Sequence, residues 1–140
     1  MSKPLPTESG ETKPFWEACR RGQYLLQECR ACGRVQAYYR GFCAHCWSRD
    51  VADFVSEGRG TVWTYTVTHR NRTPGFKEEV PYVVALIELE RGVRVFGNVV
   101  HCDPASVRIG LPVRVIFADT GAGAVPLFEP VSAGEGRGAS

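Results

Sequence analysis

Four cysteines stand in two matched pairs, Cys29 with Cys32 and Cys43 with Cys46, with ten residues between the pairs. Two residues inside each pair turn the backbone so that both sulfurs point at one ion. Two such pairs a short hairpin apart provide four thiolates, the donor set of a tetrahedral structural zinc site. Gly33 follows the first pair directly, where glycine's tolerance of positive φ relaxes the tight turn. Four thiolates leave no open coordination position for water or substrate. The chemistry expected of this cluster is therefore to hold a fold together, and function has to be sought in the rest of the chain.

Zinc competes with iron for such a site. Iron centres built on similar pairs usually carry glycine after both, whereas Trp47 follows the second pair here, which favours zinc. His45, inside the second turn, is expected to be exposed and not to replace a sulfur. Cys19 falls in a short helix and Cys102 at a strand end beside His101. Neighbours on a strand point to opposite faces, so Cys102 and His101 do not form a nucleophile pair, and both thiols read as buried and inert. No carboxylate pair, Ser–His arrangement or phosphate-cradling glycine loop is present.

The elements that must position these residues follow from pattern. Residues 1–13 are rich in Pro, Ser, Thr, Glu and Lys and read as a flexible arm. A short helix is expected from Pro14 to Gly22, with Phe15 and Trp16 either pinning it to the body or docking a partner. Strands are expected at Tyr24–Gln27 and Val35–Tyr39, giving the strand–knuckle order of a zinc ribbon, and Val51–Phe54 carries the chain out of it. Residues 14–57 form this helix and ribbon, and Glu57 to Gly60 is the expected hinge.

Beyond the hinge the texture turns to β. Thr61–His69 alternates, which predicts Trp63, Tyr65 and Val67 on one buried face and Thr64, Thr66 and Thr68 on the other. Further strands are expected at Val83–Leu89, Val93–Val100, Pro112–Ala118 and Leu127–Glu129. Arg91-Gly92 reads as a turn, and Asp103–Arg108 as a turn or a single helical turn. Five short strands so interrupted fit an OB-type barrel over residues 58–131. Residues 132–140 are small and polar and read as a disordered tail. The fold class is thus mainly β: an N-terminal helix and zinc ribbon followed by a five-stranded OB barrel.

The chain has 140 residues, enough for a small metal-bound module plus a compact barrel, and a formal net charge of +2. Residues 14–57 carry six Arg/Lys against five Asp/Glu, and residues 58–131 eight against seven. Neither part is a basic module suited to a nucleic-acid backbone. No stretch reaches the roughly 18–20 apolar residues needed to cross a bilayer. Met1 to Glu8 holds no apolar run of signal-peptide type, so the six cysteines are expected to be reduced thiols in the cytoplasm.

Several landmarks together resemble a bacterial and archaeal family catalogued as uncharacterised domain thirty-five. They are Phe15-Trp16-Glu17, Cys29-x2-Cys32-Gly33, Cys43-x2-Cys46, Gly58-x-Gly60-Thr61-Val62 and Pro74-Gly75-Phe76. The series continues through Pro81 to Leu86, Ile109-Gly110-x-Pro112-Val113 and Pro126 to Pro130, covering roughly residues 14–130. The resemblance implies a rubredoxin-like zinc ribbon joined to an OB-fold. It also implies an accessory subunit, in a hetero-oligomer, of a thiolase-like or aldolase catalytic subunit acting on acyl-CoA, with the catalytic cysteine in the partner.

Set against that implication, the long segment His69–Pro81 gains interest, since loops of this length are commonly functional. Arg70, Arg72 and Lys77 could meet the phosphates of coenzyme A, and Phe76 could stack on its adenine or anchor a partner, unless Glu78 and Glu79 simply offset solvated charges. Tyr38, Tyr39 and Arg40, with Arg34, form a second candidate patch for a nucleotide or a subunit. Two other readings stay open: a single-stranded nucleic-acid module stacking bases on Trp63 and Tyr65, and a rubredoxin-like electron carrier.

Overall fold

The computed structural model describes residues 10–73, 79–120 and 123–131. Pro14 sits in the first turn of α1 (Lys13–Arg20), where its fixed φ and missing N–H do no harm, and Gly22 at φ +74° lets the chain turn away after the last turn. Ala18 and Cys19 are the buried residues of this helix.

Three strands follow: β1 (Leu25–Cys29), β2 (Val35–Gln36) and β3 (Val51–Val55), paired antiparallel in the order β2-β1-β3. The strand expected to run to Tyr39 stops at Gln36. Tyr38 takes φ +66°, which no strand tolerates, and the Arg40 guanidinium donates back to the carbonyls of Tyr38 and Ala37. A turned loop therefore replaces the end of that strand.

The barrel comprises β4 (Arg59–Thr68), β5 (Tyr82–Glu88), β6 (Arg94–Val99), β7 (Pro112–Asp119) and β8 (Ala124–Pro130). It closes in the order β4-β5-β6-β8-β7, with β8 and β6 parallel at Phe128 and Val99, which is the expected five-stranded OB barrel. The closing strand is longer than the pattern suggested, because all seven of its residues pair with β7. Arg91 and Gly92 both adopt positive φ, at +62° and +73°, and make a tight turn between β5 and β6. Pro104–Ser106 forms one 3-10 turn capped by Asp103, whose carboxylate accepts from the Ala105 N–H.

Alternate residues of β5 (Val83, Ala85, Ile87) and of β6 (Val95, Val99) point into the barrel against Val113 and Phe128. Tyr24 and Leu26 belong to the same core cluster, so the ribbon's first strand and the residue before it help to fill the barrel's end. Gly97 is required there: a Cβ would lie 2.6 Å from the Phe128 ring.

The alternation expected along β4 breaks at Trp63. A bulge between Val62 and Thr64 leaves Trp63 without a cross-strand partner. Tyr65 and Val67 stay opposite Ala85 and Val83, but Trp63 is carried to the outside, 47 % exposed, under the Arg94 guanidinium 3.7 Å from its centroid. Tyr65 is also exposed, so neither aromatic is buried in the core as the pattern implied.

The segment that reads as a hinge is fastened on both sides. Glu90 accepts from the Ser56 hydroxyl at 2.5 Å and the Glu57 N–H at 2.7 Å, and the Val115 N–H donates to the Gly58 carbonyl at 2.6 Å. Gly58 has φ +76°, and a Cβ there would stand 2.6 Å from Val115 Cγ1. Gly58→Ala is accordingly expected to destabilise the protein by about 2–4 kcal/mol, combining backbone strain with overpacking, read from the urea midpoint at unchanged m-value.

Glu129 on β8 is braced by His101 Nδ1 at 2.7 Å and by Arg114 Nη2 at 2.6 Å. The hydrogen bonds from His101 and then Arg114 hold its carboxyl below the ordinary carboxylate value. A lowered folded value means that this stabilisation is present above the unfolded pKa and is lost as pH falls through the folded one. Glu129→Gln should therefore lower Tm at neutral pH and flatten the drop in Tm below about pH 4, as followed by thermal scans across pH.

Candidate metal centre and aromatic cleft

Both knuckles are built on the same backbone pattern. In the first, the Cys29 N–H donates to the Arg34 carbonyl and the Gly33 N–H to the Cys29 carbonyl. In the second, Cys43 donates to Ser48 and Trp47 to Cys43 at the same offsets. Trp47 takes φ +68° where Gly33 takes +78°, so a bulky residue occupies a glycine position without altering the turn. Bulk at 47 therefore does not distinguish zinc from iron. The tryptophan instead lies outward, 76 % exposed, with its ring stacked on Phe42 at 5.6 Å.

The four sulfurs converge within 4.8 Å of one another. Cys29 Sγ lies 3.6 Å from Cys46 Sγ, and Cys32 Sγ 3.7 Å from Cys43 Sγ. Thiolates about 2.3 Å from a shared tetrahedral ion stand about 3.8 Å apart, so these residues fit a four-coordinate metal. Amides point at the sulfurs, from Cys32 to Cys29 at 3.5 Å and from His45 to Cys43 at 3.3 Å. The Cys46 N–H, opposed by burial and helped by the His45 N–H, draws the Cys43 thiol down to about 6. Backbone N–H groups aimed at a sulfur favour its thiolate, the form that ligates a metal. His45 turns its ring away to meet Arg34 at 3.0 Å.

Two buried glutamines hold the second knuckle against the first, and sequence reasoning passed over both. Gln36 Nε2 donates to Gln27 Oε1 and to the Phe42 carbonyl, while its Oε1 accepts from the Ala44 N–H at 2.7 Å. Gln27 Nε2 donates to the Arg40 carbonyl at 2.6 Å and its Oε1 accepts from the Arg40 N–H. Their signal was available: polar residues on the inward face of short strands. Arg91 on the barrel completes the joint, with Nη1 3.0 Å from Glu28 Oε2 and Nη2 donating to the Gly33 carbonyl.

Among the second candidate patch, Tyr38 and Tyr39 border a cleft of about 310 Å³ with Phe15, Trp16, Tyr24 and Phe96. The Tyr38 hydroxyl accepts from the Phe96 N–H at 3.1 Å, tying the ribbon loop to β6. Tyr39 donates to Asp53 at 2.7 Å, and the Arg40 guanidinium is steadied by the Tyr38 and Ala37 carbonyls. Phe96 was missed, although the inward run of Val95, Gly97 and Val99 puts it on the outer face, where it is 67 % exposed. Arg70 and Arg72 are exposed at the start of the long loop, beside an Asn71 that accepts from the Thr73 N–H. Phe76 and Lys77 lie outside the described residues.

Cys19 is buried, and burial pushes its thiol up to about 11, partly offset by Arg20. His101 faces Glu129 while Cys102 packs against the barrel core, so the two serve different neighbours. Arg94 covers the Trp63 face on which a nucleic-acid base would stack. No helix of the described residues is long and apolar enough to cross a membrane.

A four-cysteine ribbon packed on a five-stranded OB barrel defines the class of this protein. A family model described as the ChsH2 rubredoxin-like zinc ribbon domain matches residues 16–52, and one described as the ChsH2 C-terminal OB-fold domain matches residues 55–118. The chain belongs to this ChsH2-type DUF35 family. It is 33% identical over 144 residues to a probable enoyl-CoA hydratase alpha subunit of Thermomonospora curvata, across 91% of this chain and 44% of that protein. It is 38% identical over 90 residues to a DUF35 domain-containing scaffold protein of Methanocaldococcus jannaschii, across 64% of this chain and 63% of that one. The chain thus spans less than two thirds of either relative. A solved structure titled Ltp2-ChsH2(DUF35) aldolase is similar at TM-score 0.79 and 32% identity, over 90% of this chain and 98% of that one.

Replacing Gln36 by Leu strands the Ala44 N–H, the Phe42 carbonyl and part of Gln27. The expected cost is about 2–4 kcal/mol, together with metal loss at a lower chelator concentration than wild type, measured by release to a colorimetric dye.

Proposed function

We propose that this protein is a non-catalytic, zinc-bearing scaffold subunit of a cytoplasmic thiolase- or aldolase-type complex that acts on acyl-CoA. The observation that carries this reading is the likeness, over nearly the whole chain, to a chain of the Ltp2-ChsH2(DUF35) aldolase structure. The scaffold name of the Methanocaldococcus relative supports it from a second direction. Cys29, Cys32, Cys43 and Cys46 would hold the zinc. An ion bound by four thiolates supplies cross-linking alone, which suits a structural role. The zinc-ribbon description of the matching family model favours that metal over iron.

Exposed aromatics support an interface. Trp47 and Phe96 stand largely in solvent, and large aromatic side chains left outside are frequent anchors of protein–protein contacts. The subunit acts by placement: a rigid ribbon–barrel body adds surface beside the partner's active-site entrance and lowers the entropy lost when a long CoA arm binds. Arg70, Arg72 and Lys77 serve the CoA phosphates, with Phe76 against adenine or the partner, and Tyr38, Tyr39 and Arg40 contribute a second contact patch.

The test is reconstitution with a thiolase-like protein encoded beside this chain. Activity on acyl-CoA is expected only from the pair, and Trp47→Asp should weaken their association at least about tenfold by light scattering or calorimetry. Replacing Arg70, Arg72 and Lys77 together by alanine should raise KM for acyl-CoA about tenfold with little change in kcat. Full-rate thioester turnover by the isolated chain would overturn the proposal.

A further inference from the structure

The cleft between α1, the loop after β2 and β6 carries an inference beyond the accessory role. We propose that it is a binding site for a neutral cyclic group bearing a carbonyl oxygen, such as a one- or two-ring ketone or ring-bearing acyl group. Its volume of about 310 Å³ is small-molecule sized. Among the described residues that line it none is charged, so it does not suit phosphates or carboxylates.

Rings make the walls: Phe15, Trp16, Tyr38, Tyr39 and Phe96, with Pro126. Phe15 stands edge-on to Trp16, with centroids 5.0 Å apart, and edge-on to Tyr24 at 5.3 Å. Packed in this way, they offer fixed faces and edges. Flat, rigid walls favour a rigid ring over a flexible chain, because the ring loses less freedom on binding.

Tyr24 provides the polar group. It is more than nine-tenths buried, at 6 % exposure, and its ring is set between Phe15 and Phe128. Among the described residues nothing hydrogen-bonds its hydroxyl. Among the described residues no fully buried side-chain polar atom lacks a partner, so this hydroxyl keeps some exposure, and the cleft is the opening that Tyr24 lines. Buried phenols normally have a partner, and an unpartnered one in a cleft wall points to a ligand. Burial, then the neighbouring Tyr38 and Cys19, push this phenol well above its ordinary value, which keeps its proton in place as a donor. Tyr38 uses its oxygen to accept from Phe96, so its proton also remains to be given. A carbonyl oxygen, with two lone pairs, is the acceptor that answers two phenol donors.

The experiment titrates the full metal-loaded chain with 2-acetylnaphthalene and with 2-ethylnaphthalene, its near-isosteric hydrocarbon, by calorimetry and by the NMR shifts of Phe96 and Trp16. Saturable binding of both is expected, with the ketone tighter by about tenfold, the value of one or two hydrogen bonds. Tyr24→Phe should erase that preference while leaving hydrocarbon affinity within about twofold. Phe96→Asp, at a position exposed enough to spare the fold, should weaken both probes by about tenfold or more. Equal affinity for the two probes, a preference that survives Tyr24→Phe, or saturable binding of neither overturns the proposal. Cleft shifts produced only by a partner polypeptide, with neither naphthalene bound, would assign the cleft to protein docking and overturn it equally.

Discussion

Four sulfurs within 4.8 Å of one another are an unstable arrangement unless something positive sits between them. As thiolates they repel, and as thiols they gain little from such crowding. Burial in the ribbon is concentrated in β1 and the two glutamines: β2 has two residues, and the knuckles are mostly exposed turns. Metal–sulfur bonds replace the missing hydrophobic core, as is usual for modules too small to bury one. The paired backbone patterns of the knuckles, down to a tryptophan forced into a left-handed position, exist to aim those sulfurs.

Everything the surface presents depends on that clasp being tied to the barrel. Tyr24 and Leu26 enter the barrel's core, Arg91 reaches from the β5–β6 turn to Glu28 and Gly33, and Tyr38 caps the Phe96 N–H. Glu90 and Val115 bind the connecting segment. The ribbon and barrel therefore form one body. The aromatic cleft lies where helix, ribbon loop and barrel strand meet, and it has walls only while the three are held together. Such a body suits the scaffold role proposed above, because a stiff surface lends its order to whatever docks on it.

How much of this could be read from the chain varies with the physics behind each feature. The cysteine spacing encodes a local turn and so predicts the cluster directly. The barrel strands emerged because β5 and β6 bury one face and alternate accordingly. Trp63 escaped the same logic. A bulge shifts the register by one residue, and nothing in Thr-Val-Trp-Thr marks where it falls. Tyr38 escaped because its loop is anchored by contacts distant in sequence, from Gln27 to Arg40 and from its own hydroxyl to the Phe96 N–H. Gln27 and Gln36 look like ordinary polar strand residues until their five hydrogen bonds are seen. The cleft needed all three elements in place, so no segment of sequence announces it.

The most direct test is hydrogen exchange of the metal-loaded chain against the same chain stripped by a strong chelator. If the clasp organises the surface, stripping should abolish protection at the knuckle amides of Gly33, Cys43 and Trp47 and at the Phe96 amide, while β5 and β7 amides inside the barrel stay protected. Unchanged protection at Gly33, Cys43 and Trp47 after complete metal removal would contradict the account, since the ribbon would then stand without the ion said to hold it.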